Sequence, residues 1–265
     1  MSKLGFGDSS ADRDAAASAS KDKVPSTLEH RESPADRWAD ELADWIAKRL
    51  CHIVDRQGQA LLYVSGGSSP VPVFKRLSQL AVPWAQVTIT LVDERVVPDA
   101  HPASNARLVQ EHLLVGNAQW ARWVPWIQDL RSNGDPALEC MAQAEHIERS
   151  LQRLGRADLM LLGMGEDGHI ASLFPRSQGL SEALSLDQKR MCVPVLLDSL
   201  PPQAPFHRIS VTLAHILRSR QLVLAASGQA KKALLAEALN SPDFLYPVSS
   251  VLHQSSTPLL VWTTT

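Results

Sequence analysis

The sequence predicts an α/β fold, a largely parallel sheet with helices on both faces. Three observations carry that prediction. Short apolar runs alternate with stretches of helical periodicity along most of the chain, the pattern of a parallel sheet with crossover helices. Several of those runs end in glycine-containing turns that lead directly into a helix. The length, 265 residues with 45% hydrophobic and 20% charged content, suits one large domain with a sizeable core.

Residues 1–33 are poor in large apolar side chains and rich in Ala, Ser, Asp and Lys, so they read as a disordered tail. Ordered structure is expected from Ser33-Pro34, an N-cap followed by proline at the first helical position. Residues 34–265 then read as a single domain, since the loops are short and no Gly/Ser linker interrupts them. Trp38, Leu42, Trp45, Ile46 and Leu50 recur at helical spacing and predict an amphipathic helix over about 34–51. A strand follows at 60–64, running into Ser65-Gly66-Gly67-Ser68-Ser69-Pro70, where Pro70 opens the next helix. Strand, glycine turn and helix start together make either an anion site or an ordinary tight connection.

The run 87–92 is a second strand, ending in Asp93-Glu94-Arg95. Those charges are either a solvated loop or part of a site at the same sheet edge as the Gly-Gly turn. Ser104-Asn105 caps a helix carrying Leu108 and Leu113. Residues 120–126 form an aromatic cluster that packs around a short strand. A helix over 135–152 is expected to bury Leu138, Met141, Ala144, Ile147 and Leu151. The strand at 158–162 ends in a turn, 163–175, with three glycines in six positions and Asp167 and His169 two residues apart. Beyond a loop-rich stretch come strands at 190–195, at 208–213 with alternating faces, and at 221–226. The last of these passes through Ser227-Gly228 into a helix with Lys231 in its first turn, where a cation is unfavourable unless an anion joins it. A final strand covers 258–262.

The formal net charge of −2 gives no electrostatic case for nucleic acid or an anionic membrane, so an anionic ligand needs a local basic pocket. Cys51, Cys140 and Cys192 are too few and too scattered for a disulfide framework or metal spacing. No apolar run approaches the ~20 residues of a membrane span. The amino terminus lacks the apolar core of a secretory signal, and Asp8, Asp12, Asp14 and Asp22 argue against a transit peptide. A cytoplasmic location is expected.

Ser65-Gly66-Gly67-Ser68, Asp93-Glu94-Arg95, Ser104-Asn105, the 163–175 segment reading Gly-x-Gly-x-Asp-Gly-His-x-Ala-Ser-Leu-Phe-Pro, Arg208-Ile209-Ser210-Val211-Thr212 and Gly228-x-x-Lys231 occur in the order seen in 6-phosphogluconolactonases. From about residue 34 to 263 the chain resembles that family, whose superfamily includes glucosamine-6-phosphate deaminases and shares a modified Rossmann-like sheet. The ending Ser172-Leu173-Phe174-Pro175 is the lactonase form; deaminases typically read Phe-Asn-Glu-Pro after Asp-Gly-His-Ile-Ala.

The resemblance implies hydrolysis of 6-phosphoglucono-δ-lactone to 6-phosphogluconate in the oxidative pentose phosphate pathway. It implies His169 as general base and then general acid, a task suited to a side chain of unperturbed pKa ~6.5. Asp167 orients His169, binds water or caps the turn. Arg95 donates to the oxyanion or to a substrate hydroxyl, with Asp93 accepting from hydroxyls or fixing Arg95. The phosphate is expected among Gly66, Gly67, Ser68, Arg208 and Lys231. No metal and no cofactor is expected: an activated lactone does not demand a Lewis acid, and the Gly-x-Gly follows the fourth strand instead of opening a dinucleotide fingerprint. The partner is then a small sugar-phosphate lactone, with neither nucleic acid nor membrane, and the chain a monomer or weak homodimer. The rival expectations are a glucosamine-6-phosphate deaminase/isomerase type of sugar-phosphate enzyme and a non-catalytic sugar-phosphate binder.

Overall fold

The structure, a computed structural model, describes residues 28–130, 135–196, 205–240, 243 and 246–265. The described residues open with β1 (Leu28–Ser33), α1 (Trp38–Gln57), β2 (Ala60–Val64) and α2 (Val71–Leu77). They continue through β3 (Val87–Leu91), β4 (Asp93–Arg95), α3 (Asn105–His112), β5 (Arg122–Trp123), α4 (Pro136–Leu154) and β6 (Leu159–Gly163). The second half comprises α5 (Leu180–Leu184), β7 (Cys192–Val195), β8 (Arg208–Val211), α6 (Leu213–Leu217), β9 (Leu222–Ala226), α7 (Gln229–Asn240), α8 (Pro247–Leu252) and β10 (Leu259–Thr264).

Seven strands make one sheet in the order β1-β10-β9-β6-β2-β3-β5, every neighbouring pair parallel. All residues of β2 and β9 are buried, so both faces of the sheet centre are covered, as the continuous apolar runs require. The α1 stripe of Leu42, Ile46 and Leu50 is completely buried; side chains of this size contribute ~1.5–3 kcal/mol each when fully removed from water. A second, three-stranded antiparallel sheet has the order β4-β8-β7.

The structure departs from the sequence expectations at several elements. Residues 28–33, assigned to a disordered tail, form β1, paired in register with β10 from Leu28↔Leu259 to Ser33↔Thr264; residues 1–27 of that expected tail lie outside the described residues. The strand looks like a linker because its charged side chains face solvent at a sheet edge, where they also discourage unwanted pairing. Ser33 is therefore not an N-cap: it is buried, its hydroxyl accepting from Trp262 Nε1 at 2.9 Å. A turn at Pro34 delays α1 until Trp38.

Along α4, Leu138 and Met141 are exposed, while Cys140, Gln143, Ala144, Ile147, Glu148 and Leu151 are buried. The inward face holds two polar residues because the chain around them needs their hydrogen bonds. Glu148 Oε2 accepts from the main-chain N–H of Met191 and Cys192 at 2.8 and 3.1 Å. Trp120 of the expected aromatic cluster is exposed, whereas Trp126 is buried and donates to Thr90 Oγ1 at 3.0 Å. Nor does β8 alternate. All four of its residues are buried, since it is the central strand of the small sheet.

Candidate active site

Four neighbouring strands deliver the site. In the run β9-β6-β2-β3 the carboxyl ends lie side by side, the edge at which open α/β sheets bind ligands. From β2 the chain enters the Ser65–Ser69 turn, from β3 it enters β4, from β6 the 163–175 turn, and from β9 the Gly228 turn before α7. The cleft between them is lined by Gly66, Gly67, Ser68, Asp93, Arg95, His169, Arg208 and Lys231, eight of the nine residues expected from sequence. Asp167, the ninth, hydrogen-bonds to His169. The cleft encloses about 190 Å³, small beside the roughly 300–1,000 Å³ of pockets for drug-sized ligands.

The His169 turn is drawn tight by an antiparallel bridge between Met164 and Ile170 and by the Gly165 N–H, which donates to His169 O at 2.9 Å. A Cβ at position 165 would lie 2.2 Å from His169 Nδ1 and 2.5 Å from Asp167 Oδ1. Glycine is therefore what lets the imidazole and the carboxylate fold back over the main chain. Asp167 Oδ1 accepts twice from His169, from the ring Nδ1 at 2.6 Å and from the main-chain N–H at 3.2 Å. An ionised carboxylate only accepts, so Nδ1 carries the proton and Nε2 is left as the acceptor. Burial pushes the Asp167 carboxyl upward, but the hydrogen bond and charge of His169 outweigh it and hold the group below its usual value. The His169 ring lies tilted on Phe174 with centroids 4.3 Å apart, and the Arg208 guanidinium stands 5.2 Å from the Phe174 ring.

In β4, Asp93 and Arg95 line the cleft and Glu94 does not, as side chains alternate along a strand. Asp93 Oδ2 accepts from Ser172 Oγ at 2.6 Å, and the Asp93 carbonyl accepts from Asn105 Nδ2 at 2.9 Å. Arg95 Nη1 donates to Ala103 O. Arg208 is the cross-strand partner of Arg95 and is buried. Burial and the neighbouring Arg95 lower its guanidinium to about 10, with Asp93 and Glu94 opposing, so it stays cationic at neutral pH. The Nε of both arginines has no hydrogen-bond partner among the described residues.

On the opposite wall, Gly66 is forced by close approach: a Cβ there would come 1.9 Å from Asn105 Oδ1. Ser65 Oγ accepts from the Gly163 N–H at 3.1 Å and ties the glycine turn to β6. Lys231 reaches across from α7 to donate to Ser69 Oγ at 2.8 Å. Burial lowers its ammonium, and the Glu166 carboxylate opposes that. Three cations, the glycine turn and a tautomerically fixed histidine thus meet in one small cleft of a chain whose net charge is −2.

Residues 33–262 match the protein family described as glucosamine-6-phosphate isomerases/6-phosphogluconolactonase. The chain belongs to that family. A 6-phosphogluconolactonase of Neisseria meningitidis is 37% identical over 224 residues, covering 84% of this chain and 93% of the relative. One of Pseudomonas aeruginosa is 41% identical over 203 residues, 76% of this chain and 81% of the relative. A solved 6-phosphogluconolactonase from Shewanella baltica superposes with a TM-score of 0.78 at 37% identity, covering 90% of this chain and 97% of its own. The parallel sheet and its flanking helices are thus the fold of this family.

Four residues at the site had no role in the sequence reading or only a local one. Asn105 was a helix cap, yet it lines the cleft and holds Asp93. Ser172, fully buried, bridges Asp93 and the Arg208 guanidinium. Phe174 carries both the His169 and the Arg208 contacts. Glu94 is fully buried behind the cleft. The available signal was the charged triplet itself: three charges directly after a buried strand cannot all face one way if the triplet is extended.

Among the described residues, no helix is long and apolar enough to cross a membrane.

Proposed function

We propose that this family member hydrolyses 6-phosphoglucono-δ-lactone to 6-phosphogluconate, the reaction of the oxidative pentose phosphate pathway, with His169 as its general base and acid. The observation that carries the proposal is the 2.6 Å contact of Asp167 with His169 Nδ1 inside a cleft that also holds Arg95, Arg208 and Lys231. His169 Nε2 takes a proton from a water as its oxygen attacks the lactone carbonyl carbon. The resulting oxyanion is stabilised by Arg95, which stands at the cleft wall with its position fixed by Ala103 O. Collapse of the tetrahedral species breaks the bond from that carbon to the ring oxygen. The imidazolium returns its proton to that oxygen, and the chain ends as a hydroxyl and a carboxylic acid that ionises at neutral pH.

Lys231, Arg208 and the amides of Gly66, Gly67 and Ser68 receive the phosphate, since fixed cations and free N–H groups are what a phosphate dianion needs. Asp93 accepts from sugar hydroxyls. No step is routed through a metal, because a δ-lactone is already activated and Arg95 supplies positive charge at the developing oxyanion. The substrate is a soluble small molecule, which suits an enzyme of the cytoplasm.

The test is a coupled assay of lactone hydrolysis corrected for the spontaneous reaction. His169→Ala should lower turnover by ~10²–10⁴, while 6-phosphogluconate still binds by calorimetry. Near-normal turnover of the variant sinks the assignment of His169. Ammonia release from glucosamine 6-phosphate, with no lactone turnover, replaces the hydrolase reading with the deaminase one.

A further inference from the structure

β4 presents its two flanking residues to the cleft and its central residue to the helix behind. Asp93 and Arg95 line the cleft. Glu94 is wholly removed from solvent, yet nothing in the lactone chemistry uses it. Its carboxylate accepts four hydrogen bonds. Oε1 takes the main-chain N–H of Arg95 at 2.7 Å and of Asn105 at 2.8 Å. Oε2 takes the N–H of Ala106 at 2.7 Å and the Ser104 hydroxyl at 3.2 Å. Three of these donors are the N-cap and first two residues of α3, whose N–H groups have no partner within the helix.

The neighbours on either side are latched to the same segment. The Asp93 carbonyl accepts from Asn105 Nδ2 and the Arg95 guanidinium donates to Ala103 O. Residues 93, 94 and 95 are therefore each tied to 103–106, three of the bonds going to the Glu94 carboxylate. Asn105 in turn presses its Oδ1 against Gly66, so a shift of the α3 start would move the glycine turn and the β4 wall together.

We infer that Glu94 is a positioning residue: it clamps β4 to the start of α3 and so fixes where Arg95 stands against the substrate. A carboxylate serves here because four donors converge on it and it offers about four acceptor sites. A glutamine of the same shape turns a donating NH₂ group toward two of those four donors. A shape-filling residue needs no such acceptor, and a helix cap alone needs no bond to the Arg95 amide. The inference rests on the lactonase reading for its kinetic readout but not for its structural one.

The test is a double-mutant cycle of E94Q and R95A in the full chain, assayed for lactone hydrolysis at about pH 8, where the carboxylate is ionised although burial raises it to about 7. E94Q is expected to lower kcat by ~10–10² with KM changed less than ~3-fold, and the double variant to be no slower than R95A alone. Multiplicative losses, or a KM effect without a kcat effect, overturn the inference, because Glu94 would then act independently of Arg95. Should E94Q not fold, S104A withdraws one of the four donors. Its expected ~3–10-fold kcat loss must likewise vanish in the R95A background, and a loss that persists there overturns the inference. Amide hydrogen exchange reads the clamp without any turnover: Arg95, Asn105 and Ala106 should exchange at least ~10-fold faster in E94Q. Unchanged exchange rejects the clamp. A wild-type chain with slow exchange at these amides and no lactone turnover rejects the functional reading alone.

Discussion

Asp167 offers the sharpest test of the site because one of its oxygens does two things. Oδ1 accepts from His169 Nδ1 at 2.6 Å and from the His169 main-chain N–H at 3.2 Å. In Asp167→Asn the amide oxygen can occupy the same place and keep both bonds, so the Nδ1–H tautomer survives and only the charge is lost. In Asp167→Ala both bonds go and neither tautomer is held. A charge-assisted hydrogen bond is worth about 1.5–3 kcal/mol, and one with a neutral acceptor about half that. At 1.36 kcal/mol per factor of ten, Asp167→Ala should lower kcat by ~10–10² and Asp167→Asn by only ~4–10-fold. The lower ends are the better guide, since the Asp167 side chain is 45% exposed and water competes for both partners. The assay is the coupled one, on both variants and on His169→Ala as the floor. An asparagine variant slower than the alanine variant would refute the reasoning, because it would mean the amide presents its NH₂ to Nδ1 and selects the wrong tautomer. An alanine variant within ~2-fold of wild type would refute the orienting role itself.

The remaining predictions concern the anion cradle and a buried histidine. Lys231→Ala and Arg208→Ala should each reduce kcat/KM for the phosphorylated lactone by ~10–10² while changing that for unphosphorylated gluconolactone by less than ~3-fold; undiminished discrimination by competition assay removes the residue from the phosphate site. His215 is buried beside Tyr63, with ring centroids 5.5 Å apart, and neither ring nitrogen has a hydrogen-bond partner among the described residues. Burial, with some help from Arg218, lowers its pKa to about 4. The folded value thus lies below the unfolded value of ~6.5, so the folded state binds fewer protons, and stability is lost as pH falls from about 6.5 through 4. The full loss is on the order of 3 kcal/mol, read from urea unfolding of wild type against His215→Leu; parallel pH profiles for the two would refute it.

How much of this was legible in the sequence depends on what a residue does locally. The centre of the parallel sheet came through because β2, β9 and residues 159–162 of β6 are buried on both sides and read as continuous apolar runs. The turns after them came through because they carry glycine, and at position 165 a Cβ would lie 2.2 Å from the His169 ring. By contrast β1 failed because an edge strand with one solvated side, Leu-Glu-His-Arg-Glu-Ser, has the composition of a linker. The short helices α5, α6 and α8 span five or six residues, too few for a period of 3.6 to show. On α4, Ala144, Ile147 and Leu151 are buried as expected, but Leu138 and Met141 are exposed and the inward face includes Gln143 and Glu148, whose partners lie 15 and more than 40 residues away in the chain.

The second sheet explains why the site residues were identifiable while their arrangement was not. Asp93, Arg95 and Arg208 stand out as charges at the ends of apolar runs, so residue type alone flags them. That Arg95 and Arg208 are cross-strand neighbours follows only from antiparallel pairing between β4 and β8, separated by more than a hundred residues. Two like charges set side by side repel, and that repulsion adds to burial in lowering the Arg208 guanidinium. An anion arriving between them relieves that repulsion, whereas a neutral sugar does not. The same pairing forces Glu94 away from the cleft, where the start of α3 supplies the donors its buried charge needs. A pairing register that no local pattern announces therefore sets two arginines side by side at the cleft and turns Glu94 toward the start of α3.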